Sequence, residues 1–384
     1  MNEDSFNEYS ILGGPFVYSN WFLANKGASI VCIYEYPLLT DARITGEIKE
    51  GYGPYKFLNP VPIQEKPGLV RPSLFLRAEI HLKRDMPGFE NIISDHGLLQ
   101  EELAALASLA MGTRLKAGGV TRIFEPNSDP LGKPIGWDVK PHPNIVFASY
   151  NLILPMIVGG HSVNGLKPIA NLLNISQENI IALIRASKLY QDALWIAESE
   201  PALSWIMFVS ALETGAYQWR KGQEAPIERL KTSKPKLFNL LKKTGIKELP
   251  ENVALEISDS LGSTKKFIDF VLEFMPPPPL KRPEQWAQVD FSKKRIKNYM
   301  QKIYSYRSKA LHGGIPFPAP MCLPPFRHAD WEAYSEKPLG PPVRKLGGKW
   351  IEEYSTDEIP MLLQTFEYIT RGTLLKWWNT ISSK

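Results

Sequence analysis

One stretch constrains this chain more than any other: Ala202 to Trp219, with Trp205-Ile206-Met207-Phe208-Val209 at its heart, is apolar nearly all round. A helix without a polar face must be buried on every side, so this run predicts the centre of a helical bundle. Pro201 suits its first turn, where a missing N–H costs nothing. A single acid interrupts it, Glu213 in Ala211-Leu212-Glu213-Thr214. A carboxylate there is costly unless a cation pairs with it or it takes up a proton. The central helix therefore asks for a cationic partner from a neighbour.

The rest of the C-terminal part supplies a bundle. Ser176 is a suitable N-cap for a helix from Gln177 to about Glu198. Leu237, Leu240 and Leu241 mark a third helical region, and Val253 to Phe274 reads as another, followed by the stiff Pro276 to Pro279 run. Phe291 to Leu311 predicts a long basic helix stopped by Gly313-Gly314, and the last helix starts near Thr356-Asp357-Glu358 and carries Leu362, Leu363, Phe366, Ile369, Leu374 and Trp378. Between Gly314 and Ser355 lies a Pro- and Gly-rich segment whose Phe317, Phe326, Trp331 and Tyr334 argue that it packs on something. The first 165 residues follow a different period. Leu74, Leu76, Ala78, Ile80 and Leu82 alternate with Phe75, Arg77, Glu79 and His81, the mark of a half-buried strand. Ser29 to Tyr36, Thr121 to Phe124 and Ile145 to Ile153 are also β-rich, and His96 to Met111 carries a helical stripe of Leu99, Leu103 and Leu106. The expected fold class is α+β: a β-rich α+β domain of unknown role over residues 1–165, then an all-α helical domain over 176–384 with a long Pro/Gly-rich insertion at 314–355.

Several function classes are disfavoured. With 43% hydrophobic and 22% charged residues the chain is not disordered as a whole. Two cysteines, Cys32 and Cys322, make neither a disulfide framework nor a four-cysteine zinc site. The start, Met1-Asn2-Glu3-Asp4-Ser5, lacks a basic and an apolar leader region, and no apolar run approaches the roughly 18 residues that span a bilayer. A cytoplasmic protein without membrane contact is expected. Gly262-Ser263-Thr264-Lys265 looks superficially like a phosphate loop but lacks its spacing, and no dinucleotide, zinc-protease or nucleophile-elbow motif occurs. His142 and His161 have no partner at ligand spacing, so no metal and no cofactor is expected. The formal net charge of +5 is too small to indicate a nucleic-acid binder. Its distribution is more telling: from Lys281 to Lys309 the basic residues include Lys293, Lys294, Arg295, Lys297, Lys302 and Lys309, opposed only by Glu284 and Asp290.

That basic helix offers the partner for Glu213. Its apolar stripe runs Ile296, Met300, Ile303, and the next position on the same face is Arg307. His312 follows five residues later, about 140° around an ideal helix and about 7.5 Å along it, so the two side chains do not share a face. Two arrangements bring both to one phosphate: unwinding of the helix at His312, just before a left-handed glycine turn, or convergence of two copies across a two-fold axis. A structural Arg307–Glu213 ion pair is the plainer alternative.

Tyr306-Arg307-Ser308-Lys309-Ala310-Leu311-His312-Gly313-Gly314, with the upstream apolar run ending in Ala211-Leu212-Glu213, resembles the HEPN superfamily and more narrowly its Apea-like branch. The likeness covers roughly Gln177 to the C-terminus and not the first 165 residues. Many members are metal-independent endoribonucleases of bacterial defence or toxin systems and act as dimers; some lack activity and serve as binding or scaffolding modules. The resemblance implies that Arg307 binds the scissile phosphate and His312 moves protons while the neighbouring 2′-OH attacks phosphorus. Glu213 and Ser308 would support them. Lys293, Lys294, Lys297, Lys302 and Lys309 would attract the RNA backbone. RNA and a second copy of the chain are the implied partners, with a regulatory partner left open. Ser308 stands where active members often carry Asn, Asp or His, and Gly314 stands where AMPylated toxins carry a tyrosine, so silencing by that route is not implied.

Overall fold

A computed structural model describes residues 15–383 apart from 49–50, 59–65, 82–97, 127–129, 136–140, 221–224, 258–261, 329–332, 340–342, 347–348, 353 and 356. Leu82, His96, Trp331 and Thr356 therefore lie outside the described residues. The fold is α+β, with a small sheet in the first part and helices dominating the second.

Helix α1 (Phe16–Asn25) precedes β1 (Cys32–Thr40), β2 (Arg43–Thr45), β3 (Tyr55–Leu58) and β4 (Arg71–Ile80). After α2 (Leu99–Met111) come β5 (Lys116–Ala117), β6 (Arg122–Phe124) and β7 (Lys133–Pro134). All of these strands but β2 build one antiparallel sheet in the order β3-β4-β1-β6-β7, with β5 also on β1. In β4 the sequence alternation is realised: Leu74, Leu76 and Ala78 are buried, Phe75, Arg77 and Glu79 only partly. The β1–β4 register runs from Cys32 opposite Ile80 to Thr40 opposite Arg71, with a bulge at Leu38/Leu39. Ile145 to Ile153 forms no strand, contrary to its composition. The N–H groups of Ile153 and Leu154 are taken by the Glu198 carboxylate, and that of Ala148 by the Glu198 carbonyl, so no sheet ladder is available to them. Beyond it, β8 (Gly160–Ser162) runs parallel to β2.

The second part holds α3 (Gln177–Ile196), α4 (Pro201–Trp219), α5 (Pro226–Ser233), α6 (Pro235–Lys243), α7 (Leu249–Glu256), α8 (Ser263–Phe274), α9 (Lys293–Gly313) and α10 (Leu363–Ser382). The expected single helix over Val253 to Phe274 is two. Gly262 sits at φ +72°, a left-handed conformation that restarts the chain as α8. The last helix also begins later than the acidic residues suggested, because Pro360 disfavours a helical residue before it. Helix α4 is the hub, packing on α3, α8, α10 and α9. Trp205, Phe208, Val209, Ala211 and Leu212 are completely buried in it. Helix α8 approaches α4 so closely that a Cβ on Gly215 would stand 2.7 Å from the Phe270 ring.

The Pro-rich segment does pack. Phe317 stacks on Trp205 at 5.2 Å between centroids, Phe366 covers the other face at 4.6 Å, and the Trp205 indole N–H donates to the Met321 carbonyl. Two short hairpins follow, β9 (Arg327–His328) with β10 (Ala333–Tyr334) and β11 (Val343–Leu346) with β12 (Lys349–Glu352). One hydrophobic core runs without a break from Val17 to Ile381. Helix α2, buried almost throughout, joins the sheet half to α3.

Candidate functional site

The demand that Glu213 makes is met by Arg307. Nη2 of Arg307 donates to Oε2 of Glu213 at 2.6 Å, with each side chain 21% exposed. Ile296, Met300 and Ile303 are fully buried beneath the same stripe of α9, so packing of that helix is what aims Arg307 at α4. The Tyr304 hydroxyl also lies near Glu213, and Ser263 at the start of α8 lies near Tyr304. The result is a chain of polar groups, Ser263–Tyr304–Glu213–Arg307, that stitches α8, α9 and α4 together. Burial raises the Glu213 pKa, while the Arg307 charge, Tyr304 and the bond from Arg307 hold it down. Tyr304 is pushed up to about 12, chiefly by burial and then by the Glu213 charge. The guanidinium also lies 5.7 Å from the Tyr304 ring centre, and its Nε is buried with no acceptor among the described residues.

Glu213 and Arg307 line an open groove of about 560 Å³ between α3 and α4, to which Glu178, Arg185, Ser210 and Tyr217 also contribute. Two arginines and two glutamates face each other there. The groove is electrically balanced in one chain and is not the strongly basic cleft that would seat a polyanion by charge alone.

His312 stands elsewhere. Helix α9 continues intact through Gly313, and the left-handed residue is Gly314 at φ +63°. The first of the two arrangements, unwinding at His312, does not occur, because the helix gains its glycine cap one residue later. Taking about 100° per residue from Ile296, Arg307 falls close to the buried stripe and His312 on the opposite side. The imidazole is exposed, with no hydrogen bond or ion pair among the described residues. It is not packed beneath the 314–355 segment. Ser308, half-buried, lies on the flank between the two.

The lysines divide into two groups. Lys293, Lys294 and Lys297 are exposed along the outer side of α9, and Lys294 and Lys297 share the His312 side by helical spacing. Lys302 instead donates to the Asp357 carbonyl, beside Arg295, which approaches the Asp357 carboxylate at 3.9 Å, and Tyr306, whose hydroxyl donates to Glu358 O. Lys309, exposed, lies over the Tyr306 ring and stands about 60° from His312 by helical spacing. Lys302 therefore holds the approach to α10 and does not continue the outer basic stripe, whereas Lys309 stays on the exposed side. Sequence reasoning missed this division, although the Asp357-Glu358 pair was its visible signal.

The two histidines without ligand spacing differ. Both ring nitrogens of His161 lie near backbone carbonyls, Met111 at 3.0 Å and Ile157 at 3.1 Å, so it ties α2 to the 155–162 segment. His142 is exposed. Among the described residues no three His, Cys, Asp or Glu side chains converge as a metal-ligand set, and no helix is long and apolar enough to cross a membrane. The residues that the structure offers for chemistry on an anion are thus Arg307, turned inward on an open groove, and His312, turned outward at the end of the same helix. Compared with protein-family models, with curated proteins and with solved structures, the chain matches none.

Proposed function

We propose that this chain is a metal-independent endoribonuclease of the HEPN type that acts as a homodimer. The observation that carries the reading is the placement of Arg307: the arginine of an Arg-x4-His pattern leans from a bundle helix over an open groove, paired with Glu213 and 21% exposed there. Arg307 and His312 of one chain face different ways, so a site using both takes them from two chains. In such a site the 2′-OH loses its proton to an imidazole as it bonds to phosphorus. The 5′-oxygen leaves with a proton, and a 2′,3′-cyclic phosphate remains. Arg307 offsets the extra negative charge that phosphorus gathers in between. Ser308 and the exposed Lys293, Lys294 and Lys297 would hold the adjoining backbone. A role in bacterial defence or as a toxin is part of this reading.

The test uses purified wild type, Arg307→Ala and His312→Ala with mixed RNA in EDTA. Wild type is expected to cut and leave cyclic phosphate ends, and each variant to lose at least about a hundredfold. Mixing the two inactive variants is expected to restore roughly a quarter of the wild-type rate, since random pairing rebuilds one composite site in half of the dimers. A His312→Ala protein that cuts as fast as wild type ends the proposal.

One observation favours a second reading, a non-catalytic binding or scaffolding protein: Arg307 and Glu213 are already paired at 2.6 Å, with Tyr304 beside them. On that reading no RNA is cut, and Arg307→Ala costs about 1–3 kcal/mol of stability by leaving Glu213 half-buried and unpaired.

A further inference from the structure

The groove that carries Arg307 holds a second guanidinium, Arg185, that neither the motif nor the cleavage chemistry uses. Helices α3 and α4 run antiparallel, and two hydrogen bonds fix their register. The Ser204 hydroxyl donates to the Ala193 carbonyl at 2.8 Å, and the Gln218 side-chain amide donates to Oδ1 of Asn179 at 3.0 Å. In that register Arg185 stands level with Glu213, and so with the Arg307 group bound to it. Ile181 stands level with Tyr217, one helical turn away or about 6 Å along the seam. All of these side chains line the groove, with Ala182 beside Ile181.

The two ends of this stretch differ in chemistry. Arg185 is exposed, with no hydrogen bond or ion pair among the described residues. Glu213 is engaged by Arg307, and Glu178, seven residues before Arg185, lies about 10.5 Å from it along α3. Arg185 therefore keeps its donors for a ligand, and its planar fork suits phosphate oxygens. One turn on, the walls are Ile181, Ala182 and Tyr217. Tyr217 is 51% exposed, and an aromatic ring half open beside aliphatic side chains is a surface on which a planar ring stacks. Lys266 lies over one face of that ring, 5.5 Å from its centre, so stacking falls to the other. The groove, at about 560 Å³, is within the roughly 300–1,000 Å³ that small-molecule sites occupy. Its overall charge balance does not suit a long polyanion, but one phosphate joined to one ring needs only a local cation.

We propose that the groove between α3 and α4 binds one nucleotide unit, its phosphate on Arg185 beside Arg307 and its base against Tyr217 and Ile181. Arg185 and Tyr217 are then binding residues that no sequence pattern singles out. The proposal deepens the ribonuclease reading by naming what this groove holds, and it rests on that reading for placing the phosphate next to Arg307. The nucleotide has two possible sources, a free mononucleotide or one position of an RNA strand.

Titration calorimetry on the full chain decides the matter with two probes, AMP and a short 2′-O-methyl oligoribonucleotide, which lacks the attacking hydroxyl and is not cut. Wild type is expected to bind at least one of them saturably. Arg185→Gln and Tyr217→Leu, both at exposed positions and both checked for an unchanged circular dichroism spectrum, are each expected to weaken that binding by roughly tenfold or more. Tyr217→Phe keeps the ring and is expected to bind as wild type does; a loss equal to that of Tyr217→Leu would overturn the stacking. Tight binding of AMP with weak binding of the oligonucleotide assigns the groove to a free nucleotide; the reverse assigns it to an RNA strand. The proposal falls if wild type binds neither probe, or if either Arg185→Gln or Tyr217→Leu binds both as tightly as wild type. Because neither probe is cut and His312 lies outside the groove, the two readings fail separately. Absent nucleotide binding with RNA cleavage present sinks only this inference, and unimpaired cleavage by His312→Ala sinks only the ribonuclease reading.

Discussion

At the scale of the residue, buried carboxylates account for most of what is unusual in this protein, and they have been given different solutions. Glu213 has an arginine. Glu102, fully buried on α2, has none directly bonded; it accepts the backbone N–H groups of Phe16 and Val17 and so caps α1 from a distant part of the chain. Burial lifts its pKa to about 8 from an ordinary 4.5, against the pull of those two N–H groups and of Lys188. The sign follows directly. The folded state holds this proton over a pH range in which the unfolded chain has released it, so stability from this group is complete below about pH 4.5 and is lost as pH rises through 8. Glu102→Gln keeps an acceptor and cannot ionise. Thermal melts from pH 5 to 8.5 are expected to show wild type losing stability relative to the variant, with a slope of up to about 1.4 kcal/mol per pH unit. Parallel curves would refute the shifted carboxyl. Glu213 was legible in the sequence because it is the one charged residue in the run from Ala202 to Trp219, and Arg307 because it continues an apolar stripe. Glu102 was not, since a glutamate in the first turn of a helix ordinarily reads as a solvated residue that favours the dipole.

At the scale of the element, helix identity was readable from hydrophobic period while helix limits were set by backbone features. The bounds of α4 follow from Pro201 and the length of the apolar run, and Arg307 falls on the predicted face. The break before α8 hangs on the conformation of one glycine, and the site of the α9 stop on which of two adjacent glycines turns left-handed; hydrophobic spacing does not distinguish these. That choice matters for function, since it keeps His312 helical and on the outer side. Three glycines make the point measurable. Gly215→Ala places a methyl 2.7 Å from Phe270, which is held by Phe274, Trp219 and Trp377, and is expected to cost about 1–3 kcal/mol in urea unfolding. Gly313, still helical and with nothing nearer than 3.8 Å to an added Cβ, is expected to accept alanine at no cost or to gain up to about 1 kcal/mol. Gly314→Ala, at φ +63°, is expected to lose about 1 kcal/mol. Equal effects at 313 and 314 would mean that α9 does not end where described.

At the scale of the whole molecule, the sheet-bearing and helical parts meet through a buried ion network that no periodicity reveals. Arg114, completely buried, donates to Asp41 after β1 at 2.8 Å and to Glu198 after α3 at 2.7 Å, while its Nε donates to the Leu194 carbonyl. Asp41 also accepts the Gly68 N–H, and Glu198 those of Ile153 and Leu154. One guanidinium thus organises five segments separated by up to 157 residues, from Asp41 to Glu198. Each of the three residues looks like a surface charge in its own stretch of sequence, which is why the network is invisible until the chain is folded. Two negative charges around one positive cannot tolerate its removal, so Arg114→Met is expected to destabilise by about 3–5 kcal/mol. It also tests how the halves are coupled. Because one core runs from Val17 to Ile381, wild type is expected to unfold in a single transition, with tryptophan fluorescence and far-ultraviolet circular dichroism superimposing. In Arg114→Met a single transition moved to lower denaturant means that the network adds stability to one cooperative unit. Two separated transitions, the sheet signal lost first, mean that Arg114 is what makes the two parts one. A midpoint unchanged from wild type would show that the buried charges are not paired as the structure places them.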